Sequence, residues 1–410
     1  MSKPTHNLDP GDFVKTTSAT ESNLDQLLGN RGLEALSRET LQATGLPGKA
    51  YGAAFYEVEQ SALFPKPWCA AGVASDLPHP GDMRPVDIAG WPVLLLRDAA
   101  GELKAFHNIC RHRAMALVTE PCNQKAIVCP WHAWRYGLDG ALARTPRIGG
   151  DGTHTQKGLN LDKLGLVPIR LACWNDMIFV NLDGKADDFQ SHIRPLDELL
   201  ADYDLTGLRR ANSWEIEYPG NWKVAVEGAI EDYHLPIGHP QVALAAVRMN
   251  PVLNFANPVF YSNSTRREFA RPEDENPAAG GHLGLPTIPF AGDEAERRTF
   301  FMNVFPTGMF QMHRHNAVQG LFLPSGPERT RLVFHHYYVG DAADNPDLES
   351  ERAVVTAQWQ KVFEQDIPFV HHVHQNYLVR DAAGIDTRFS EVWEANIHEF
   401  QKTVVNVVKQ

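Results

Sequence analysis

Short apolar or alternating runs bounded by turn residues fill residues 66–182: WCAAGVAS, MRPVDIAG, WPVLLLRDAAG, ELKAFHN, AIVCPWHAW, YGLDG and DMIFVNLDG. Such runs, closed by DG and AG pairs, predict the strands and hairpins of a small all-β domain. On either side the spacing becomes helical. LDQLLGNRGLEALSRETL, within about 23–45, is interrupted at Gly29 and Gly32, and FYEVEQSALF runs up to Pro65. RPLDELLADYD at 194–204 reads as a linking helix. Strand-like runs recur from 211 to 340 (SWEIEYP, FFMNVFP, GMFQMH, VQGLFLPSG, RTRLVFHHYYV), with a helix-like segment at 221–234. A long helix, ERAVVTAQWQKVFEQDIPFVHHVHQNYL, closes the chain's last domain, and Pro368 is expected to kink or restart it. The class is α+β. The polar stretch 1–22 is expected to be a disordered arm, 23–65 to be helices packing on the later domain, 66–185 the β domain and 186–410 a second, larger domain. The Pro/Gly-rich segment 271–298 reads as a lid or a surface loop.

A chain of 410 residues, 43% hydrophobic and 21% charged, has the composition of a folded globular protein rather than a fibrous or disordered one. Its 38 basic and 50 acidic residues leave a net charge of -12, which argues against nucleic acid as a partner. No stretch reaches the roughly 20 apolar residues that span a bilayer, so no membrane association is expected. Five cysteines without an export signal point to a reducing, cytoplasmic compartment where thiolates are free to bind metal.

Two of those thiols form a pattern. Cys110-Arg111-His112 precedes Cys129-Pro130-Trp131-His132, a C-x-H and C-x-x-H pair on two loops of the β domain. Two thiolates and two imidazoles suit a tetrahedral zinc or a [2Fe–2S] cluster with the cysteines on one iron and the histidines on the other. Zinc hairpins usually use C-x-x-C knuckles, whereas this spacing is the recurring Rieske pattern. Two buried Cys-His pairs without metal are the bland alternative. The run NICRHRAMAL…CPWHAWRYGLDGAL closely resembles the cluster-binding loops of Rieske non-haem iron oxygenases, Arg113 included. Ala133 departs from the glycine common there and is expected to disturb packing rather than ligation. Cys122 matches no ligand position and reads as a buried thiol.

His234 and His239 stand five apart in NWKVAVEGAIEDYHLPIGH. On one ideal helix they would diverge by about 140°, so Pro236 and Gly238 are expected to end the helix between them and let His239 swing back. Two histidines and a carboxylate make the facial triad of non-haem Fe(II) oxygenases. The resemblance implies that the carboxylate comes from the C-terminal helix: Asp366, nine residues before Gln375, with Glu364 as its rival. His371, His372 and His374 read as packing residues. Glu231 reads as a partner that orients His234; the resemblance adds a bridge from the cluster of one subunit to the iron of its neighbour, with Asp232 as the alternative bridge and a solvated helix carboxylate as the bland reading.

The resemblance covers about residues 45–400 and implies an oxygenase α subunit. It carries a Rieske β domain beside an antiparallel sheet flanked by helices, a [2Fe–2S] cluster and a mononuclear Fe(II). It takes electrons from a separate NAD(P)H-dependent flavin/iron–sulfur reductase, uses O2, and assembles as a homotrimer. The form NWKVAVEGAIEDYH is similar to the subgroup acting on glycine betaine, proline betaine or carnitine, although Gly228 stands where that subgroup often has Asn. A quaternary ammonium would want an aromatic cage, to which Phe255, Phe260, Tyr261, Phe301, Phe305, Phe310 and Trp359 are candidates. The alternatives are an oxygenase of aromatic acids or aryl ethers, a Rieske electron carrier, or a structural zinc protein.

Overall fold

The computed structural model describes residues 24–410 apart from 25, 30–32, 35, 244–245, 270–282 and 294–295, and the side chains of 243–251 and 266–269. The arm expected over 1–22 and most of the segment 271–298 lie outside the described residues. The described chain divides into two compact units, Phe64–Ala186 and a second made of residues 24–63 with Asp187–Gln410.

In the first unit an antiparallel seven-stranded sheet has the spatial order Cys69–Val73, Met177–Asn181, Pro168–Trp174, Leu103–His107, Trp91–Arg97, Asp82–Ile88, Cys122–Asn123. A small sheet of Ile127–Val128, Arg135–Tyr136 and Leu142–Arg144 adds the second metal-type loop. Its core joins both sheets, with Leu94, Leu96, Phe106, Trp134 and Tyr136 packed around the buried Cys110 and Cys129. Gly140, at φ 82°, turns the chain where a Cβ would lie 2.5 Å from the Phe106 ring.

In the second unit seven antiparallel strands run in the spatial order Leu208–Tyr218, Thr330–Val339, Ala317–Pro324, Gly308–Met312, Thr299–Val304, Phe260–Phe269, Ala246–Ala256. The sequence order is a meander after one crossover, which carries the helices Trp222–Ala229, Leu235–Gly238 and Pro240–Ala243. Gly308–Met312 and Ala317–Pro324 are buried at every position, as a central strand covered on both faces must be. The covering helices include Trp222–Ala229, Glu349–Arg380 and Ala395–Lys409. Helix Ala53–Ala62 belongs to this unit and is pinned by Glu59, whose carboxylate meets Lys223 Nζ at 2.6 Å and Trp222 Nε1 at 3.1 Å with both charged side chains fully buried. A buried pair of this kind specifies register more than it adds stability, because desolvation offsets most of its attraction.

Two expectations change. Helix Glu349–Arg380 does not restart at Pro368 but runs through it as one 32-residue element; proline removes one backbone hydrogen bond, and the remaining turns and the packing of Trp359, Phe363 and Val370 carry the helix across. The linking helix begins earlier than expected, at Phe189, capped by Asp188 accepting the Ser191 amide at 3.1 Å.

Candidate metal centres and cavity

The two Cys-His loops are copies of one turn. Cys110 N–H donates to the Met115 carbonyl and Ala114 N–H back to the Cys110 carbonyl, at 2.8 and 3.0 Å; Cys129 with Trp134 and Ala133 with Cys129 repeat both bonds at the same lengths. Each turn closes on an alanine in the left-handed region, Ala114 at φ 56° and Ala133 at φ 57°. The cost of Ala133 is therefore backbone strain of about 1–2 kcal/mol, a correction to the packing expectation, since its side chain is exposed.

The turns face each other, with the His112 and His132 rings 4.6 Å apart and His112 stacked on Trp134. Nδ1 of both histidines is buried and makes no hydrogen bond, an arrangement that costs free energy unless a ligand takes the lone pairs. Burial, then His132 and Arg113, hold the His112 pKa below its ordinary value, keeping the imidazole neutral as a metal ligand must be. Cys110 and Cys129 are buried free thiols. The Tyr136 hydroxyl accepts the Arg111 amide at 3.0 Å and so has its own proton for Cys110 Sγ, 3.3 Å away. Two thiols and two unpartnered imidazole nitrogens on matched loops fit a [2Fe–2S] cluster with mixed ligation. The Tyr136 contact was not foreseen; its only signal in the sequence is an aromatic hydroxyl four residues after His132.

In the second unit the segment before His234 folds differently from expectation. Helix Trp222–Ala229, capped by Asn221, ends five residues before His234, so the break falls ahead of the histidine pair. Pro236 then sits in the first turn of a new short helix, Leu235–Gly238, where its missing N–H costs nothing. That turn brings the rings of His234 and His239 to 5.1 Å. Asp366, on helix Glu349–Arg380, completes the group: the donor atoms of His234, His239 and Asp366 all lie within 4.8 Å of one another.

Hydrogen bonds fix which nitrogens point inward. His239 Nδ1 is 3.0 Å from Gln365 Oε1, which also accepts from the Gln241 amide at 2.7 Å; an acceptor there makes Nδ1 the protonated nitrogen and leaves Nε2 with the lone pair. His234 Nδ1 is held by Glu231 Oε1, while Glu231 Oε2 accepts the amides of Tyr233 and His234. Burial would lower the His234 pKa, but the Glu231 hydrogen bond and charge, with help from Asp366, raise it above the ordinary value. Two lone pairs and a carboxylate oxygen converge, a donor set that fits a mononuclear iron with open positions. Gln365 was overlooked in the sequence, where adjacency to Asp366 was the available signal. Glu364 is exposed and stands apart from the cavity wall. Asp232 is buried and accepts the Thr265 hydroxyl at 2.5 Å, which leaves it poorly placed to bridge to another centre. His374 and His371 donate to the carbonyls of Tyr51 and Pro219.

The three donors open on a cavity of about 350 Å³ whose wall is mainly apolar. Of the seven aromatics considered from sequence, Phe301 and Trp359 line it, joined by Phe363, Phe322 and Phe369. Tyr261 and Phe305 pack instead on Phe400, and Phe255 is exposed. Glu227, Glu231, Asp232, Asp366 and Glu394 also line the cavity, and no Lys or Arg does among the described residues.

A β unit with matched Cys-His turns and a sheet-and-helix unit with a His-His-Asp group are the two halves of one kind of protein. The family described as "Ring hydroxylating alpha subunit (catalytic domain)" matches residues 205–410, and the Rieske [2Fe-2S] domain matches residues 67–160. The chain belongs to the Rieske non-haem iron oxygenases as an α (oxygenase) subunit, a family of oxidoreductases that carry a Rieske cluster and a mononuclear iron. The glycine betaine monooxygenase oxygenase subunit of Pseudomonas aeruginosa is 31% identical over 188 residues, a match that spans 46% of this chain and 42% of that protein, less than half its length. Choline monooxygenase, chloroplastic, of Spinacia oleracea is 26% identical over 85% of this chain and 74% of its own. In fold, the chain is similar to the quaternary ammonium Rieske monooxygenase CntA, with a TM-score of 0.73 at 20% identity over 91% of this chain and 98% of that one. It is similar to naphthalene 1,2-dioxygenase to nearly the same degree, with a TM-score of 0.72 at 17% identity. The fold therefore does not select the substrate. Among the described residues no helix is long and apolar enough to cross a membrane.

Proposed function

We propose that this chain is the terminal oxygenase component of a Rieske oxygenase system, fed by a separate reductase, and oxidises a small quaternary ammonium compound, by N-demethylation or hydroxylation. The observation that carries this reading is the cavity wall: the rings of Phe301, Trp359 and Phe363, five carboxyl groups and, among the described residues, no Lys or Arg, around the His-His-Asp group. Such a wall favours a cation whose surface is apolar, because π faces contribute about 0.5–2 kcal/mol each and the carboxylates supply counter-charge. The relatives named for glycine betaine, choline and carnitine point the same way.

In this reading Cys110, His112, Cys129 and His132 hold the cluster, and His234, His239 and Asp366 hold the iron. The cluster supplies electrons one at a time and the iron supplies dioxygen activation. Gln365 and Glu231 keep the two imidazoles in the tautomer that ligates. Glu231, already held on His234, would also bridge that ligand to a cluster histidine of a neighbouring copy in a head-to-tail homotrimer, a role supported by the inter-subunit electron transfer described for the similar structure. A separate NAD(P)H-dependent flavin/iron–sulfur reductase feeds the cluster, and the compartment is cytoplasmic.

The test is reductive turnover of iron-loaded protein with a surrogate reductase and NADH. The panel contains a net cation (choline), zwitterions (glycine betaine, carnitine) and aromatic acids. Substrate-dependent oxygen uptake with formaldehyde or a hydroxylated product from a quaternary ammonium is expected. Coupled uptake with an aromatic acid alone overturns the substrate class.

A further inference from the structure

Of the five carboxyl groups on the cavity wall, Glu231 is held on His234, Asp232 on Thr265 and Glu394 on the Ser390 amide at 2.7 Å, while Asp366 belongs to the His-His-Asp group. Glu394 also keeps one oxygen without a hydrogen bond, but Glu227 is the more deeply buried of the two and takes two donors on a single oxygen. It is 5% exposed, and both of its hydrogen bonds end on one oxygen: Oε1 accepts from the Tyr51 hydroxyl and from the Gln401 amide, each at 2.8 Å. Gln401 cannot turn over, because its own oxygen takes the Leu46 N–H at 2.9 Å. Its amide also donates to Tyr51 Oη at 3.0 Å, so Tyr51 must direct its proton to Glu227. Oε1 is thus saturated with donors. Any proton the carboxyl carries sits on Oε2, which makes no hydrogen bond to the protein although the residue forms part of the cavity wall.

We propose that Glu227 is the counter-charge for the cationic headgroup of the substrate: a quaternary ammonium docks against Oε2, and the proton on that oxygen leaves to solvent. This rests on the quaternary-ammonium reading above. The O–H bond of the carboxyl breaks, the carboxylate keeps the electron pair, and the buffer accepts the proton. Burial pushes the Glu227 carboxyl up to about 7 against the lowering effect of the Gln401 and Tyr51 hydrogen bonds and of the Lys223 and Arg380 charges. Tyr377 also faces it and is itself held protonated by burial and by Glu227. Near neutral pH the site is therefore poised between a neutral carboxyl and a carboxylate, and a cation tips it to the latter. Lys223 does not compete for the role of partner, because its ammonium is spent on Glu59.

The experiment is calorimetric titration of the iron-loaded protein with choline and with tetramethylammonium, at several pH values and in two buffers of different ionisation enthalpy. The wild-type protein is expected to release up to about half a proton per cation bound near pH 7, and to bind up to about tenfold more weakly for each pH unit below that. Glu227→Gln is expected to bind at least tenfold more weakly, with no proton release and no pH dependence. The wild-type proton count stands without any variant. Cation binding without proton release, or the same release from Glu227→Gln, overturns the assignment. If neither cation binds while an aromatic acid does, the substrate class itself fails and this inference falls with it.

Discussion

Nε2 of His239 lies 2.9 Å from Oδ1 of Asp366, yet it forms no hydrogen bond. The same oxygen is 3.9 Å from Nε2 of His234. With both Nε2 atoms unprotonated, as ligation requires, three acceptor-type atoms meet and repel one another, and the arrangement becomes favourable when a cation sits among them. Asp366→Ala is expected to lose mononuclear iron by at least about tenfold in occupancy while keeping the visible spectrum of the cluster. Metal analysis and absorbance on one sample check this, and iron retained at wild-type occupancy would send the ligand search to another carboxylate.

Glu231→Gln separates loading from electron delivery. The amide keeps an oxygen for His234 or for the backbone amides of Tyr233 and His234, so both metal centres are expected to load. Reoxidation of the reduced cluster in the presence of substrate and O2, followed by stopped flow, is expected to slow by more than about tenfold. Turnover at the wild-type rate would place the bridge elsewhere.

Tyr136→Phe removes a donor to Cys110 Sγ without changing the volume of the core. A hydrogen bond to a ligating sulfur stabilises the reduced cluster, and a net ~1 kcal/mol corresponds to about 40 mV for a one-electron couple. The cluster potential, measured by mediated titration, is expected to fall by that order with no loss of iron. An unchanged potential would mean that the hydroxyl serves the Arg111 amide alone.

Glu227 also couples stability to pH. Its folded-state pKa of about 7 lies above the carboxyl's value of 4.5 in the unfolded chain. Between those values the folded protein holds a proton that the unfolded chain has lost, so stability is full below about pH 4.5 and declines as pH rises through 7, by at most about 3 kcal/mol. Glu227→Gln has no such titration. The difference in unfolding free energy between wild type and variant, measured by urea denaturation from pH 5.5 to 8.5, is expected to shift in the variant's favour with rising pH. A constant difference would refute the coupling.

The metal-type residues were legible because their chemistry leaves a spacing in the chain: C-x-H with C-x-x-H, and two histidines around a Pro-Gly pair. Asp366 was legible only through the family resemblance, since a carboxylate brought in from a distant helix leaves no local spacing. What the spacing could not give was the local backbone. Pro236 was read as a stop between the histidines, whereas the helix ends earlier at Ala229 and the proline starts the next turn. A proline is compatible with either end of a helix, and only packing decides which. The cavity's aromatics were harder still. Phe301 and Tyr261 share one face of the sheet, since Phe301 pairs with Asn263 and Tyr261 with Asn303, yet one lines the cavity and the other packs on Phe400; the distinction is set by position along the strands, which alternation of side chains does not encode.

The two metal-type groups differ in the length of chain each must close. Cys110 and His132 are 22 positions apart, and their turns hang from hairpins of neighbouring strands. Asp366 is 127 positions beyond His239, with most of the seven-stranded sheet between them. Contacts of such high contact order form late, because loop closure is paid before the contact returns anything. During synthesis the cluster loops can be complete while the iron ligands are still on separate, unjoined segments. Cluster insertion and iron uptake are thereby staggered in time by the order of the chain itself, and a nascent polypeptide truncated before helix Glu349–Arg380 would present a Rieske site with no companion iron.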